Sequence, residues 1–374
     1  MVENLEHTQE KIAALQALPN SVGLAALTPF STTSLTIRPY QAEALEAVHQ
    51  AIVNNISRPL IDLPTGTGKT IIFAQLIRNR GGRTLVLAHR DELIEQAVEK
   101  ILLVDPSADI GVVKGKRNEK DARIVVASIQ TLSKKKRLSQ LPKDFRTLIV
   151  DEAHHAVAKS YRRVLRYLRA FERENPPLTV GLTATPTRGD GVGLKPIFQK
   201  IVYSRTILEM IEQQYLIDLR SRRIELPVDF NQFRVQRGDF IDGEVSRLLV
   251  EANAPQYIVS AVKEQASERK VIVFVPGVEL AMEVAACFQS NGIASEAVHG
   301  KMNLIERRAV LARLRAGDTR VAVNCMVLTE GFDESSVDCI VIARPTKRRS
   351  LYIQMIGRGT RLHPGKHDCL KCYA

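Results

Sequence analysis

A glycine-rich turn near the amino end of the chain separates two apolar segments. It follows the apolar run 59–63 and leads into residues 71–77, whose apolar side chains recur with helical spacing. A strand, a flexible turn and a helix in that order point several backbone N–H groups at an anion, and the helix dipole adds positive potential there. The pattern therefore predicts a nucleotide-phosphate loop, whose candidate ligands are Pro64, Thr65, Gly66, Thr67, Gly68, Lys69 and Thr70.

Two of these side chains have specific expected roles. Lys69 is placed to reach the β- and γ-phosphates of a nucleotide, and the hydroxyl of Thr70 is placed to hold Mg²⁺. The strict form of the pattern has glycine where this chain has Leu63. The pattern alone therefore leaves open a plain strand–helix turn that carries a surface lysine.

Two carboxylates follow a second apolar run, 147–150. Buried carboxylates at a strand end are costly unless they meet a cation or act in acid–base chemistry. We therefore expect Asp151 to bind Mg²⁺, and Glu152 to orient and deprotonate an attacking water. Taken alone, the same two residues also fit an acidic helix cap.

Apolar runs and helix-like segments alternate over most of the chain, which predicts an α/β fold with parallel sheets flanked by helices. The predicted strands are 60–63, 84–88, 124–127, 148–150, 179–182, 271–275, 297–299, 321–324 and 340–343. The predicted helices include 91–103, 158–171, 278–290, 304–314 and 350–356. The alternation breaks over 207–254, which we interpret as a connection containing a small hairpin. Residues 1–34 form an N-terminal extension, predicted as a short acidic helix and a Ser/Thr-rich linker.

Composition limits the partners and the compartment. Lys and Arg number 53 against 41 Asp and Glu, an excess that favours polyanions. Aromatic residues make up 5%, which argues against binding through stacked aromatic platforms. The chain has no apolar stretch of membrane-spanning length and no basic leader, so we expect a cytoplasmic protein without a membrane partner. Its five cysteines fit a reducing compartment, and we expect the pair Cys369 and Cys372 to be plain thiols.

Further motifs occur in a fixed order along the chain. They are Ile37-Arg38-Pro39-Tyr40-Gln41, the segment 85–90, the segment 127–132, Asp151-Glu152-Ala153-His154, the segment 181–186, the segment 324–333 and the segment 354–361. This series resembles the superfamily 2 helicases and translocases, in the branch that holds XPB-like, type III restriction-subunit and RadD-like proteins. The resemblance implies two tandem RecA-like domains, at 35–206 and 255–374, joined by a linker at 207–254. It also implies ATP and Mg²⁺ as cofactors, with ATP held between the domains.

The resemblance also assigns roles to individual residues. In addition to Lys69, Asp151 and Glu152, it implies that Gln354, Arg358 and Arg361 are catalytic, because arginines there neutralise charge on the transferred phosphoryl group. It implies nucleotide contacts from Arg38, Gln41 and Asp333. The residues that it places along a nucleic-acid backbone are Arg90, Gln130, Thr131, Arg188, His299 and Thr329. The run Lys134-Lys135-Lys136-Arg137 either touches that backbone or is a solvated loop.

The expected activity is that of an ATP-dependent DNA helicase or translocase. Three alternatives stay open: an ATP-gated DNA-binding remodeller, the motor subunit of a restriction complex, and an RNA helicase. A nuclease or repair partner is unidentified. Relatives in this branch continue past the last motif, whereas this chain stops at Ala374 within an expected final strand. The sequence therefore leaves open whether a C-terminal accessory region is missing.

Overall fold

A computed structural model describes residues 36–185, 193–229, 233–236, 238–328 and 333–373. The chain divides into two compact units, and the main change from one to the other falls between Ser204 and Arg205. Each unit contains one large sheet with helices packed on it. The predicted α/β fold with parallel sheets is confirmed. The N-terminal extension predicted at 1–34 lies outside the described residues.

The first unit contains an eight-stranded sheet. Its strands are β1 (Pro59–Asp62), β2 (Thr84–Ala88), β3 (Ile110–Lys114), β4 (Arg117–Asn118), β5 (Ile124–Ser128), β6 (Thr147–Val150), β7 (Leu178–Thr183) and β8 (Lys200–Ser204). Their order in the sheet is β4-β3-β5-β2-β6-β7-β1-β8. Every neighbouring pair is parallel except β3 with β4. The carboxyl ends of β1, β2, β5, β6 and β7 therefore share one edge of the sheet.

The central strands of this sheet were the predictable ones. Every residue of β2, β5, β6 and β7 is buried, as expected for a parallel sheet covered on both faces. By contrast, β8 reads Lys-Ile-Val-Tyr-Ser and is exposed or half-buried at every position. The edge strands β4 and β8 were absent from the predicted set, and so was β3, which lies between β4 and β5.

The described part of the first unit contains six α-helices and one 3₁₀ helix. They are α1 (Pro39–Val53), α2 (Lys69–Arg80), α3 (Asp91–Val104), α4 (Ile129–Leu132), α5 (Lys135–Ser139), the 3₁₀ helix Ala153–His155 and α6 (Lys159–Tyr167). The prediction extended α6 to residue 171, but the helix ends four residues earlier. Arg169 adopts a left-handed conformation with φ +64°, and the N–H of Ala170 donates to the carbonyl of Leu165 at 3.0 Å. A left-handed residue of this kind terminates many helices.

The second unit has a six-stranded parallel sheet and a small hairpin. Its strands are β9 (Asp218–Arg223), β10 (Val235–Gln236), β11 (Asp239–Phe240), β12 (Val271–Phe274), β13 (Ser295–His299), β14 (Val321–Cys325), β15 (Cys339–Ile342) and β16 (Asp368–Tyr373). The sheet order is β13-β14-β12-β15-β16-β9, and β10 pairs with β11. The helices are α7 (Ile207–Glu212), α8 (Asp242–Glu251), α9 (Ala254–Gln265), α10 (Val278–Ser290), α11 (Leu304–Ala316) and α12 (Arg349–Ile356).

The segment 207–254, interpreted from the sequence as a connection, lies within the second unit. Its strand β9 pairs in parallel with β16 and forms the edge of the large sheet. Its helix α8 places Val245 and Leu249, both fully buried, in the core with α9 and α10. No apolar pattern predicted this strand, because β9 reads Asp-Leu-Arg-Ser-Arg-Arg and backbone pairing holds it rather than an apolar face.

None of the helices in the described ranges has both the length and the apolar character needed to cross a membrane.

Adjacent residues of α8 test whether this segment stabilises the second unit. Leu249→Ala should lower the free energy of unfolding by about 2–4 kcal/mol, because it removes a fully buried side chain and leaves a cavity. Val250→Ala is the matched control; Val250 is 38% exposed, and the change should stay within about 0.5 kcal/mol. Urea unfolding followed by circular dichroism measures both. Equal effects would show that α8 does not contribute to the core.

Candidate functional site

The predicted phosphate loop joins β1 to α2. Gly66 and Gly68 have φ angles of +90° and +72°, which side chains rarely adopt, so glycine is favoured at both positions. The hydroxyl of Thr67 donates to the carbonyl of Pro64 at 2.8 Å and holds the turn. Lys69 starts α2, and its buried Nζ donates to the carbonyl of Leu63 at 3.0 Å. A helix N-terminus with a lysine at its first position is suited to bind an anion.

Gln41 lies against this loop, although 27 positions separate it from Gly68 in the sequence. A Cβ atom added to Gly68 would lie 2.8 Å from Gln41 Nε2, so the amide packs directly on the turn. The backbone N–H of Arg38 donates to Gln41 Oε1 at 3.0 Å and orients the amide at the start of α1. Pro39 occupies the first turn of α1, where its missing N–H has no helical partner to lose.

The two predicted acidic residues follow β6 and are both buried. The backbone N–H of Glu152 donates to Asp151 Oδ1 at 3.0 Å, and Glu152 has a left-handed φ of +46°. Burial raises the pKa of Asp151 to about 6; the charge of Glu152 adds to this rise, and the charge of Lys69 opposes it. A pair of buried carboxyl groups needs either a proton or a cation to be stable. Oxygen ligands of this kind fit Mg²⁺.

The opposing effect of Lys69 on Asp151 indicates that the phosphate loop and the acidic pair are close in space. This follows from the topology, because only β7 separates β1 from β6. Thr70, the other expected magnesium ligand, is half-buried in the first turn of α2. The structure thus brings Gln41, Lys69 and Asp151 to one edge of the first sheet.

Three histidines connect strand ends at this edge. His154 Nδ1 lies 3.3 Å from Glu152 Oε2 and 3.2 Å from Thr183 Oγ1, so it bridges the ends of β6 and β7. The ring centroid of His155 lies 4.1 Å from that of His154 and 4.2 Å from that of His89, which follows β2. Sequence reasoning gave neither His89 nor His155 a role in the site. The available signal was position alone: His89 directly follows the predicted strand 84–88, and His155 directly follows the motif that ends in His154.

Thr183, the last residue of β7, forms a turn with Thr185. Thr183 Oγ1 donates to the carbonyl of Thr185 at 3.2 Å and accepts the N–H of Thr185 at 3.1 Å. Hydroxyls at strand ends commonly form such local bonds. Here the same hydroxyl also contacts His154, so the turn is connected to Glu152 through one imidazole.

The described nucleic-acid candidates of the first unit lie at the ends of β2 and β5. Arg90 is half-buried immediately before α3. Gln130 Nε2 donates to the carbonyl of His89, and Gln130 Oε1 accepts from Ser128 Oγ at 2.8 Å. Thr131 Oγ1 accepts the N–H of Gly115 at 3.1 Å. Both side chains therefore also support the local fold. Arg188 lies outside the described residues.

Four candidates of the second unit lie on α12 or in the loops on either side of β15 and α12, at Asp333, Gln354, Arg358 and Arg361. Gln354 is buried on α12, and Arg358 is buried just beyond the helix. Arg361 Nη1 pairs with Asp333 Oδ1 at 2.7 Å, so the structure joins residues that the sequence separates. Gly359 leaves no room for a side chain, because an added Cβ would lie 2.2 Å from Cys369 Sγ. The arginine-bearing loop is therefore pressed against the sheet.

His299 ends β13, at the opposite edge of the second sheet from β9. Its Nδ1 is buried and finds no hydrogen-bond partner in the described part of the chain. Thr329 lies outside the described residues. The second unit thus brings Asp333 and Arg361 together, whereas His299 is three strands away from β15.

Lys366 is a site feature that sequence reasoning missed. Its Nζ lies within hydrogen-bonding distance of four carbonyls: those of Ser335 at 3.2 Å, Val337 at 2.6 Å, Gly359 at 2.5 Å and Arg361 at 3.0 Å. Burial lowers the pKa of this lysine. One ammonium group therefore joins the loop after Asp333 to the loop that carries Arg361. The sequence offered a weak signal, a lysine directly after the turn residues Pro364 and Gly365.

A second missed feature anchors the start of α12. Asp239 accepts hydrogen bonds from Thr346 Oγ1 at 2.9 Å and from the N–H of Lys347 at 2.9 Å. Asp242 forms an ion pair with the buried Arg344 at 2.8 Å. The hairpin and α8 therefore hold the loop that leads from β15 to the helix carrying Gln354.

The cysteines provide no metal site in the described structure. All five are free thiols, and Cys325, Cys339, Cys369 and Cys372 are buried. No cluster of three or more metal-ligating side chains occurs in the described ranges.

Two family models match the chain in the order that these motifs require. The model described as type III restriction enzyme, res subunit, matches residues 34–188, and the helicase conserved C-terminal domain matches residues 253–363. The chain belongs to the superfamily 2 helicases and translocases. Within this superfamily, it falls in the branch of XPB-like proteins and restriction subunits.

Curated relatives agree with this assignment. The chain is 34% identical over 351 residues to the ATP-dependent helicase IRC3 of Saccharomyces cerevisiae, a match that covers 89% of this chain and 50% of that protein. It is 36% identical over 354 residues to the mitochondrial ATP-dependent helicase irc3 of Schizosaccharomyces pombe, covering 92% of this chain and 58% of that one. The chain thus spans about half to three fifths of the length of these relatives.

Solved structures agree on the fold. A fragment of an HsdR subunit of a type I restriction enzyme from Vibrio vulnificus YJ016 matches with a TM-score of 0.70 and 23% identity, covering 90% of this chain and 63% of that one. The Hef helicase domain of Pyrococcus furiosus matches with a TM-score of 0.55 and 20% identity, covering 90% and 95%. The predicted tandem RecA-like architecture is confirmed.

Burial makes the ionised form of Asp151 unfavourable in the folded protein. Removing this charge should therefore stabilise the fold of this superfamily 2 protein. With magnesium chelated, Asp151→Asn should raise the free energy of unfolding at pH 8 by on the order of 2 kcal/mol. The pKa of Asp151 is raised in the folded state, from 3.8 to about 6, so ionisation favours the unfolded chain. The gain should therefore shrink as the pH falls from 6 towards 4.

Urea unfolding at several pH values measures this effect. Asp318→Asn, at an exposed acidic residue of the second unit, is the control and should change little at any pH. A loss of stability in Asp151→Asn at pH 8 would contradict the prediction.

Lys366→Met should lower the free energy of unfolding by about 2–4 kcal/mol, because four carbonyls would lose their shared donor. The exposed Lys263 offers a matched control, and Lys263→Met should have little effect. Thermal unfolding of the two variants and the parent protein measures the difference in stability. Equal melting temperatures for both variants would contradict the structural role of Lys366.

Proposed function

We propose that this chain is the motor of an ATP-dependent DNA helicase or translocase. One observation carries the proposal: Lys69 and the buried pair Asp151 and Glu152 share one edge of the first sheet, close enough for the lysine to influence the pKa of Asp151. A lysine at a helix N-terminus fits a triphosphate, and a buried carboxylate pair fits a divalent cation. The helicase names of the curated relatives support the same reading.

Residues beside the carboxyl edge of the first sheet have separate roles in hydrolysis. The backbone of 64–68, Lys69 and the start of α2 hold the phosphates, while Arg38 and Gln41 contact the base. Thr70 and Asp151 hold Mg²⁺, which neutralises charge on the phosphoryl group when it is bound. Glu152 orients the attacking water and accepts its proton.

The position of Glu152 suits this role. It is buried and contacts His154 at 3.3 Å, and that histidine also contacts the turn after β7. A fixed carboxylate can orient a water without first having to reorganise. The hydrogen-bonded turn at Thr183 and Thr185 gives a physical route from β7 to the general base.

In the second unit, we assign charge neutralisation on the transferred phosphoryl group to Arg358 and Arg361, with Gln354 beside them. The ion pair of Arg361 with Asp333 and the four carbonyls around Lys366 hold this loop in a defined shape. We assign a nucleotide contact to Asp333.

The proposed nucleic-acid path uses residues of both units. We assign backbone contacts to Arg90, Gln130, Thr131 and His299 and, beyond the described residues, to Arg188 and Thr329. Contacts of this type position a strand without reading its sequence. We propose DNA as the substrate and a nuclease or repair protein as a partner. Cytoplasmic residence stays a prediction, since the relative from Schizosaccharomyces pombe is named mitochondrial.

Three other functions remain as alternatives. Restriction subunits are among the relatives, at 26% identity for the EcoKI endonuclease subunit, which favours a motor subunit of a restriction complex. An RNA helicase and an ATP-gated remodeller without movement are the other two. ATP turnover measured with single-stranded DNA, duplex DNA, forked DNA and RNA at a stated salt concentration separates these last two from a DNA motor. Strong stimulation by DNA supports the motor, stimulation by RNA alone supports an RNA helicase, and absent stimulation supports the remodeller.

Glu152→Gln tests the assigned general base. The amide cannot accept the proton, so turnover should fall by at least about a hundredfold while ATP still binds. A steady-state ATPase assay and the binding of a fluorescent ATP analogue measure the two properties separately. Glu174→Gln, at an exposed glutamate of the same unit, is the control and should keep normal turnover. Hydrolysis at the parental rate in Glu152→Gln would overturn the assignment.

A further inference from the structure

A second group of cations lies outside the strand-end site. We use the name basic surface for the exposed residues Lys134, Lys135, Lys136, Lys159, Arg162, Arg163 and Arg166. Four of the seven lie on α6, whose apolar residues Tyr161, Val164 and Leu165 are buried. Helix α6 contains no acidic residue, so its solvent-facing side is strongly cationic.

Specific contacts join α6 to the lysine run, although 25 positions separate Lys134 from Lys159. Arg163 Nη1 donates to the carbonyl of Ser133 at 3.0 Å. Tyr167 Oη donates to the carbonyls of Leu141 at 3.0 Å and Ser139 at 3.3 Å, on the far side of α5. These bonds at both ends of α5 make the lysine run and α6 one surface.

This surface is not balanced by acidic side chains. In the described structure, none of its seven cations forms an ion pair with a carboxylate; the nearby pairs Arg83–Asp144 and Arg169–Glu172 use other residues. The chain as a whole has 41 acidic residues for 53 lysines and arginines. The basic surface is therefore more cationic than the chain is on average, because its seven cations have no acidic partner. Like charges held together repel one another unless a polyanion neutralises them.

We propose that the basic surface binds the backbone of duplex DNA, as a site additional to the strand-end residues. Continuity supports nucleic acid as the partner, because Lys134 follows α4, which carries Gln130 and Thr131. The proposal rests on the proposed function in taking DNA as the substrate and in the contacts assigned to Gln130 and Thr131.

The absence of exposed aromatic rings on this surface favours a duplex over a single strand. Tyr161 is buried, and Tyr167 is occupied by its hydrogen bonds and by Lys143, whose Nζ lies 4.7 Å from the ring centre. Proteins that bind single strands typically stack bases on aromatic side chains, whereas a duplex can be held through its phosphates alone. The basic surface offers phosphate contacts and no stacking platform.

A charge-matched pair of triple variants tests the proposal. The test variant is Lys135→Gln, Arg162→Gln and Arg166→Gln, three exposed residues whose side chains form no hydrogen bond or ion pair within the described ranges. Arg163 is kept because it holds α6 to Ser133. The control is Lys195→Gln, Lys200→Gln and Lys263→Gln, which removes three exposed lysines elsewhere. Both lose three charges, so a general effect of net charge affects them equally.

The measurement is fluorescence anisotropy with a blunt duplex and with an oligothymidine strand of equal length, without nucleotide, between 50 and 200 mM salt. For duplex DNA, the test variant should lose about tenfold or more in affinity, and the slope of log affinity against log salt should fall by about 3. The control should stay within about twofold of the parent protein. Binding of the single strand should change less than binding of the duplex.

Two outcomes would overturn the proposal. If the test and control variants bind the duplex equally, the basic surface is not a DNA site. If the test variant loses single-strand and duplex affinity to the same extent, the surface serves the single-strand path instead. Failure of the proposed function would give a different result. A parent protein that does not hydrolyse ATP would refute the motor function, whereas its affinity for duplex DNA would still test the basic surface.

Discussion

Parallel strand pairing is the constraint on which the candidate site depends. Because β1, β7, β6, β2 and β5 all run in the same direction, their carboxyl ends meet at one edge. Each of these ends carries polar residues that the sequence keeps far apart. Lys69 and Asp151 are 82 positions apart in the chain, yet the charge of one acts on the pKa of the other. An antiparallel arrangement of the same strands would send neighbouring ends to opposite edges and separate these groups.

The electrostatic environment at the same edge is unfavourable for ionised carboxylates. Two adjacent carboxyl groups are buried there, and burial makes the ionised form of Asp151 unfavourable. Such strain is common where a protein holds groups ready for a ligand, because the ligand supplies the missing counter-charge. The second unit shows the opposite arrangement. There Lys366 has carbonyl partners and Arg361 has Asp333, so these half-buried cations are satisfied within the unit.

The sequence predicted most central strands and the longer helices, because their signals are local. The runs at 84–88 and 124–127 are continuous apolar segments, and the structure buries every residue of β2 and β5. The edge strands β8 and β9 escaped prediction because β8 has only a three-residue apolar run and β9 is largely polar, and because pairing with a distant strand decides their conformation. For the same reason the segment 207–254 looked like a connection, although α8 fills part of the core. Among the site residues, the phosphate loop and the acidic pair could be predicted from their motifs, whereas Lys366 could not.

By itself, the sequence determined the chemistry that the chain can offer: a loop for phosphates, a carboxylate pair and a fixed order of motifs. These depend on neighbouring residues, so a linear pattern records them. Only the tertiary structure decided which groups meet. It placed His154 between Glu152 and Thr183, enclosed Lys366 in four carbonyls, and joined the lysine run to α6 as one basic surface. Contacts of this kind depend on strand order and helix packing across long sequence separations, and no local pattern encodes them.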